Sequence, residues 1–355
     1  MIFNYKKIKE KNLTYIIAEI GANHDCSIKK AKKMIYLAKK GGASAAKFQT
    51  YKSEMISSKN SPAYWDTKKE KTKSQYLLFK KFDKFEKEDY FSLAKYCKKV
   101  NIDFLSTPFD TNSVDFLKKL VPAFKISSSD ITNLQLLKKI GATKKPVILS
   151  TGAANIEEIK FAVNYLKKYG SKKIILLHCI LNYPAKDENA NLLMIKHLKK
   201  SFPNQIIGYS DHTLPSKDMI NLTTAYLFGA NVIEKHFTLN KKLKGNDHYH
   251  SMDFDDLFTF TKNLKLIKNL SGRSSEKKVL KSEMKSRKYA RRSLVLKRNI
   301  KKGEFLSESN IISLRPVRGV PAEKLNFVIG KQIKKNKKAG EHLFFKDFYN
   351  LKKKK

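Results

Sequence analysis

Eight short apolar runs, each followed by a stretch with helical spacing, constrain this chain more than any other feature. They are YIIAEIG (15–21), AAKFQTY (45–51), DFLSTPF (103–109), AFKISSS (123–129), PVILSTG (146–152), IILLHCI (174–180), IIGYSDH (206–212) and VIEKHFT (232–238). Runs this short, with this share of β-branched residues, predict buried strands. The segments between them include SIKKAKKMIYLAKKGG, NIEEIKFAVNYLKKYG and KDMINLTTAYLFG. Each of these three carries apolar residues three and four apart and ends in Gly, as helix C-termini do. Strand and helix alternating eight times between residues 15 and 272 predict an α/β protein built on a parallel (β/α)8 barrel.

Residues 52–86, rich in Lys, Ser and aromatics, interrupt the pattern between the second strand and its helix KEDYFSLAKYCKKVN. They read either as a lid or as a surface loop. Composition shifts again near residue 271. The division expected is a barrel domain at 1–272, a polar, partly helical linker at 273–288 and a small β-rich domain at 289–355. In that last part NIKKGEFLSESNI and KKNKKAGEHLFFKDF repeat one order: basic turn, Gly, Glu, apolar pair, acidic turn. The closing lysine run reads as a frayed tail.

The formal charge of +42 comes from 74 Lys and Arg against 32 Asp and Glu. Only seven of the basic residues are Arg, and the lysines are scattered as pairs over helix faces. Nucleic-acid recognition calls for a clustered patch, Arg for bidentate contacts and a known motif, and this pattern supplies none of them. Solvated helix surfaces account for the charge, and the resulting field draws in small anions. Cys26, Cys97 and Cys179 show no CxxC and no framework spacing, which fits a reducing, cytoplasmic setting. The first apolar run is short and broken by Glu19, so the N-terminus reads as neither signal peptide nor membrane span.

All eight runs end in polar or ionisable groups. In order these are Glu19; Lys47 and Gln49; Thr107; Lys125 and Ser128; Ser150; His178 and Tyr183; Ser210, Asp211 and His212; Glu234, Lys235 and His236. Barrel chemistry sits at the C-terminal mouth, so eight such endings point to one polar, anion-binding site. Lys47, Lys125, Thr107, Ser128, Ser150 and Ser210 suit a phosphate. His212 and His236, from adjacent strands, suit one ion of Mn, Fe, Co or Zn. Glu19 is placed to join as ligand, water-holder or base. Lys235 points the other way in a regular strand and is expected to form a structural ion pair, while Glu234 shares a face with His236. GNDHYHSMD (245–253) adds Asp247, His248 and His250 in the next loop, as a turn or as a polar clamp over the mouth.

These stretches, in this order, resemble the sialic acid synthase family. The matching pieces are AEIGANHDCS, AAKFQTY, STPFD, FKISSSDITN, LSTGAA, LLHCILNYP, GYSDHT, EKHFT and GNDHYHSMD. RRSLVLKRNIKKGEFLSESNI…LRPVRG resembles the antifreeze-like (SAF) domain appended to those enzymes. The resemblance implies a synthase that joins phosphoenolpyruvate to an N-acetylated amino sugar and releases phosphate. It implies a divalent metal on His212 and His236, usually manganese, with magnesium or cobalt as alternatives. Phosphoenolpyruvate would be bound at Lys47, Thr107, Lys125, Ser128, Ser150 and Ser210. The sugar would meet Gln49, Tyr183 and Asp247, with Tyr289 and Arg315 beside it, Arg315 coming from the cap of the partner in a swapped homodimer. Glu19 and Asp247 are the expected catalytic residues. Leu181 stands where some members have Asn, Asp130 where Glu is common, and GNDHYH where GPD is usual. These departures leave the sugar open among N-acetylmannosamine and the 2,4-diacetamido sugars that lead to legionaminic or pseudaminic acid. A carbohydrate-binding protein that keeps the fold without catalysis is the non-enzyme alternative.

Overall fold

A computed structural model describes residues 2–349 apart from 12, 66, 69, 246 and 273. The first residue of the expected linker, Arg273, and the terminal lysine run lie outside the described residues. Backbone contacts divide the chain into two compact units, 1–271 and 272–355.

The first unit is a (β/α)8 barrel. Its strands are β1 (Tyr15–Gly21), β2 (Ala45–Thr50), β3 (Asp103–Pro108), β4 (Phe124–Ile126), β5 (Val147–Ser150), β6 (Ile174–Cys179), β7 (Ile206–Asp211) and β8 (Val232–His236). Their pairing is parallel, in the order β3-β2-β1-β8-β7-β6-β5-β4. β3 and β4, the two ends of that order, lie side by side, so the barrel is nearly closed. Every residue of β1, β3, β4, β5, β6, β7 and β8 is buried. Helices cover the outside and side chains fill the inside, which is why these runs are apolar almost throughout instead of alternating. Below the mouth, Ile17, Ala45 and Leu105 lie two residues before the polar strand ends Glu19, Lys47 and Thr107 on the same face, and all are buried. Gly208 keeps that interior tight, because an added Cβ would collide with the Val232 carbonyl oxygen and Leu177.

The helices start where the sequence supplies caps. Ser27 accepts from the Lys30 amide ahead of helix Ile28–Gly41, which ends on Gly42 in the left-handed region. Asn155 and Glu158 form a reciprocal capping box ahead of Ile156–Lys168. The 52–86 insertion folds as two short helices, Ser53–Ile56 and Gln75–Phe82, tied by a bridge between Pro62 and Ser74.

In the second unit a 3-10 turn, Lys281–Glu283, leads into helix Met284–Ala290, which runs past the expected linker end at 288. An antiparallel pair follows, β9 (Ser293–Leu296) and β10 (Ile311–Leu314). Leu294, Leu296, Ile300, Leu306, Val320, Ile333, Leu343 and Phe348 form its core. The internal repeat is structural. Gly303 and Gly340 both take positive φ, and each repeat closes in a 3-10 turn, Glu308–Asn310 and Phe345–Asp347. The bridge Ile300–Lys337 joins the two copies, and Phe305 of the first bridges to Gln332, just before the second.

Candidate active site

The polar strand ends of β1, β2, β3, β4, β5, β7 and β8 meet in one cavity of about 400 Å³ at the C-terminal mouth. The alternation of strand side chains decides which ends enter it. Glu19, Lys47, Gln49, Thr107, Lys125, Ser150, Ser210, Glu234 and His236 line it, joined by Ser128, Tyr183, His212 and Asp247 from the loops.

Two of the strand-end groups expected at the mouth lie elsewhere. His178 is on the outer face of β6, where its Nε2 bonds the Ala190 carbonyl at 2.8 Å and its ring stacks on Tyr209. Asp211 is on the outer face of β7. Its carboxylate takes the Lys235 ammonium at 2.7 Å and accepts from the Tyr209 and Thr213 hydroxyls. One residue of register separates each from an inward neighbour, Cys179 or Ser210. The ion pair expected of Lys235 is therefore present, with an outer-face aspartate.

The cations are held by carboxylates. Lys47 Nζ lies 2.6 Å from Glu19 Oε2, 3.6 Å from Glu234 Oε2 and 3.2 Å from Thr107 Oγ1. Lys125 Nζ donates to Ser150 Oγ at 2.7 Å and lies 3.5 Å from Glu234 Oε1. Ser210 donates to Glu234 Oε1 at 2.9 Å, and Ser128 Oγ accepts from the Gly152 amide. Glu234 thus ties together Lys47, Lys125 and Ser210, three groups expected to meet a phosphate. Burial works against its charge, but Lys125, Lys47 and the Ser210 bond hold its carboxyl below the usual range.

Glu19 is different. Burial, with Glu234 nearby, pushes its carboxyl up to about 7 despite the Lys47 contact. Gln49 Nε2 donates to its other oxygen at 3.0 Å. Gly21, at φ +53°, lets the chain turn just beyond it, where a Cβ would sit 3.2 Å from Glu19 Oε1. A buried carboxyl poised near neutrality, beside a lysine, is equipped to take a proton from water.

The imidazoles gather on β8 and the loops beside it, with His236 in register with Glu19 across the β1–β8 pair. The ring centres of His212 and His236 are 5.6 Å apart, and Tyr183 packs on His212 at 4.2 Å. His212 Nδ1 bonds the Ile180 carbonyl at 2.7 Å, which fixes the proton on that nitrogen and leaves the lone pair on Nε2. His236 Nδ1 is buried with no hydrogen-bond partner and lies 3.6 Å from Asp247 Oδ2. Burial holds His236 well below its usual pKa, so it is the neutral imidazole that metals require. Orphaned imidazole nitrogens beside a carboxylate suit a divalent ion. His248 is turned away from this cluster, its Nδ1 bonded to Thr238 Oγ1 at 2.7 Å.

The insertion supplies a wall that the sequence announced only as aromatic-rich. Ile56, Tyr64, Trp65, Leu78, Phe79 and Phe82 line the cavity together with the lysines. Asp130 and Leu181, two of the departures from the family pattern, also line it. Tyr289 and Arg315 belong to the second unit. Tyr289 is exposed in helix Met284–Ala290, and Arg315 is exposed just after β10.

An eight-stranded barrel with paired lysines and imidazoles at its mouth, followed by a small β module, defines the class: a barrel enzyme for anionic substrates. The chain belongs to the NeuB family, whose model matches residues 34–276, and residues 291–348 match the SAF domain. It is 42% identical to the N,N'-diacetyllegionaminic acid synthase of Campylobacter jejuni over 92% of this chain and 98% of the relative. It is 36% identical to the Legionella pneumophila enzyme of the same name, over 93% of each. Among solved structures, N-acetylneuraminic acid synthetase from Leptospira borgpetersenii superposes with a TM-score of 0.67 at 34% identity, covering 78% of this chain and 90% of that one.

Proposed function

We propose that the protein is a nonulosonic acid synthase. It condenses phosphoenolpyruvate with an N-acetylated amino sugar, N-acetylmannosamine or a relative, and releases inorganic phosphate. The observation that carries this reading is the convergence, in one cavity, of Lys47 and Lys125 with a separate cluster of imidazoles and a carboxylate. The first set suits a phosphorylated enol; the second suits an ion on the acceptor carbonyl.

In this reading Lys47 and Lys125, with Thr107, Ser128, Ser150 and Ser210, take the phosphate and displace Glu234 from the ammonium groups. Gln49, Tyr183 and Asp247 position the open-chain sugar, with Asp247 fixing a hydroxyl so that the aldehyde is in line. The enol carbon bonds to the aldehyde carbon. Water adds to the phosphate-bearing carbon, and the C–O bond to phosphate breaks. Glu19 holds that water and takes its proton. A divalent ion on His212 and His236, manganese ahead of magnesium or cobalt, would supply Lewis-acid polarisation of the aldehyde. The small C-terminal domain is a cap, and its Arg315, with Tyr289, completes the sugar pocket of the partner in a swapped homodimer. Three free cysteines support work in a reducing cytoplasm.

A second choice of sugar has its own support. Burial against Ile56, Trp65, Leu78, Phe79 and Phe82 rewards methyl groups more than hydroxyls. A 2,4-diacetamido-2,4,6-trideoxyhexose, precursor of legionaminic or pseudaminic acid, offers three methyls. Phosphate release from phosphoenolpyruvate, measured with each sugar in manganese buffer and again with chelator, tests both readings. Metal-dependent release that requires one of the sugars is expected. No release with any of them would leave a carbohydrate-binding protein as the better account.

A further inference from the structure

His250 is the most anomalous polar side chain near the mouth. It is wholly buried, and neither ring nitrogen has a hydrogen-bond partner. An unsatisfied buried polar group is costly and rare, so it calls for an explanation in kind. The neighbourhood supplies one. His250 Nε2 lies 3.6 Å from Asp247 Oδ1, and the His250 ring centre is 4.9 Å from that of His236. His236 carries its own orphaned Nδ1, aimed at the other Asp247 oxygen at 3.6 Å. One ligand atom from each of His236, Asp247 and His250 falls within 4.8 Å of the others. Around an ion with bonds of about 2.1 Å, neighbouring ligands sit roughly 3.0–3.4 Å apart. The 3.6 Å spacings lie within a few tenths of an ångström of that range.

We infer that His250 and Asp247 are direct ligands of the same ion as His236, which makes the centre a three-imidazole, one-carboxylate site with His212 as the third imidazole. This rests on the metal-assisted reading above and refines it. Asp247 then binds the ion through its carboxylate. The donor set also selects the metal. Imidazole suits cobalt, iron, nickel and zinc, whereas magnesium favours oxygen donors and keeps its waters. The site should take cobalt or zinc over magnesium by a wide margin.

The test uses the full-length protein stripped of metal and titrated with Co2+, without either substrate, following visible absorption. His250→Ala is expected to weaken Co2+ binding by roughly 10- to 100-fold or more, since loss of a mere outer partner of a ligand already costs that much. His250→Phe, which preserves ring volume, should weaken it equally while keeping the wild-type circular dichroism. If neither variant folds, X-ray absorption of the Co2+-loaded wild type decides: three imidazoles are expected. Unchanged Co2+ affinity and spectrum in a folded variant, or two imidazoles or fewer in the wild type, would overturn the inference. Binding is read apart from turnover. A protein that binds Co2+ through His250 yet releases no phosphate would sink the synthase reading and leave this one standing.

Discussion

Glu19 carries two demands that conflict. It pairs with Lys47 at 2.6 Å, yet burial and Glu234 keep its carboxyl near neutrality. As a base it works only when deprotonated, so kcat should rise with pH along a limb centred about 7. Glu19→Gln should remove that limb and lower kcat by roughly 10²- to 10⁴-fold, with little change in the KM for phosphoenolpyruvate. A pH–rate series on both proteins checks this, and a limb that survives in the variant assigns it to another group. The sequence placed Glu19 at the mouth correctly, because β1 ends there. It could not give the raised pKa, which comes first from burial in the folded barrel and then from Glu234, more than 200 positions away in the chain.

At the scale of elements, β7 and β8 show how alternation sorts one strand end into two jobs. Ser210, Glu234 and His236 face the cavity, while Asp211 and Lys235 form a pair behind it that is almost wholly buried. Lys235→Ala should cost about 3–5 kcal/mol, because it strands a buried carboxylate. Urea unfolding of the two proteins at neutral pH measures the difference, and a cost under about 1 kcal/mol would mean the pair contributes little. The insertion makes a different prediction. Phe79 lines the cavity from helix Gln75–Phe82, with its ring 5.5 Å from that of Tyr51. Phe79→Ala should raise the KM for the sugar roughly tenfold and leave that for phosphoenolpyruvate alone. Steady-state kinetics with each substrate varied in turn would show the split.

Over the whole molecule, a charge of +42 makes a field that no single contact reveals. Small anions feel it before they dock, so kcat/KM for phosphoenolpyruvate should fall on the order of tenfold between ~0.05 M and ~0.5 M salt. A flat response across a salt series would confine the lysines to a solvating role. The proposed swap of cap domains has an equally direct consequence. Mixing Arg315→Ala subunits with His236→Ala subunits should restore roughly a quarter of wild-type activity, since one site in each mixed dimer then has an intact barrel and an intact cap. Two inactive variants that stay inactive after subunit exchange would mean each barrel is served by its own chain.

The sequence alone determined the barrel, because eight apolar runs with helices between them leave a parallel chain few other ways to bury both strand faces. It also determined that the mouth is polar, and that Lys235 faces away from His236, since alternation is local. Tertiary structure alone decided which polar groups touch. Glu234 bridging two lysines, His178 and Asp211 turning outward, the aromatic wall of the insertion and the orphaned His250 all depend on packing between segments far apart in the chain. Periodicity reports the face on which a side chain stands. Only the folded ring brings faces from different strands within a few ångströms, where burial and charge set each group's chemistry.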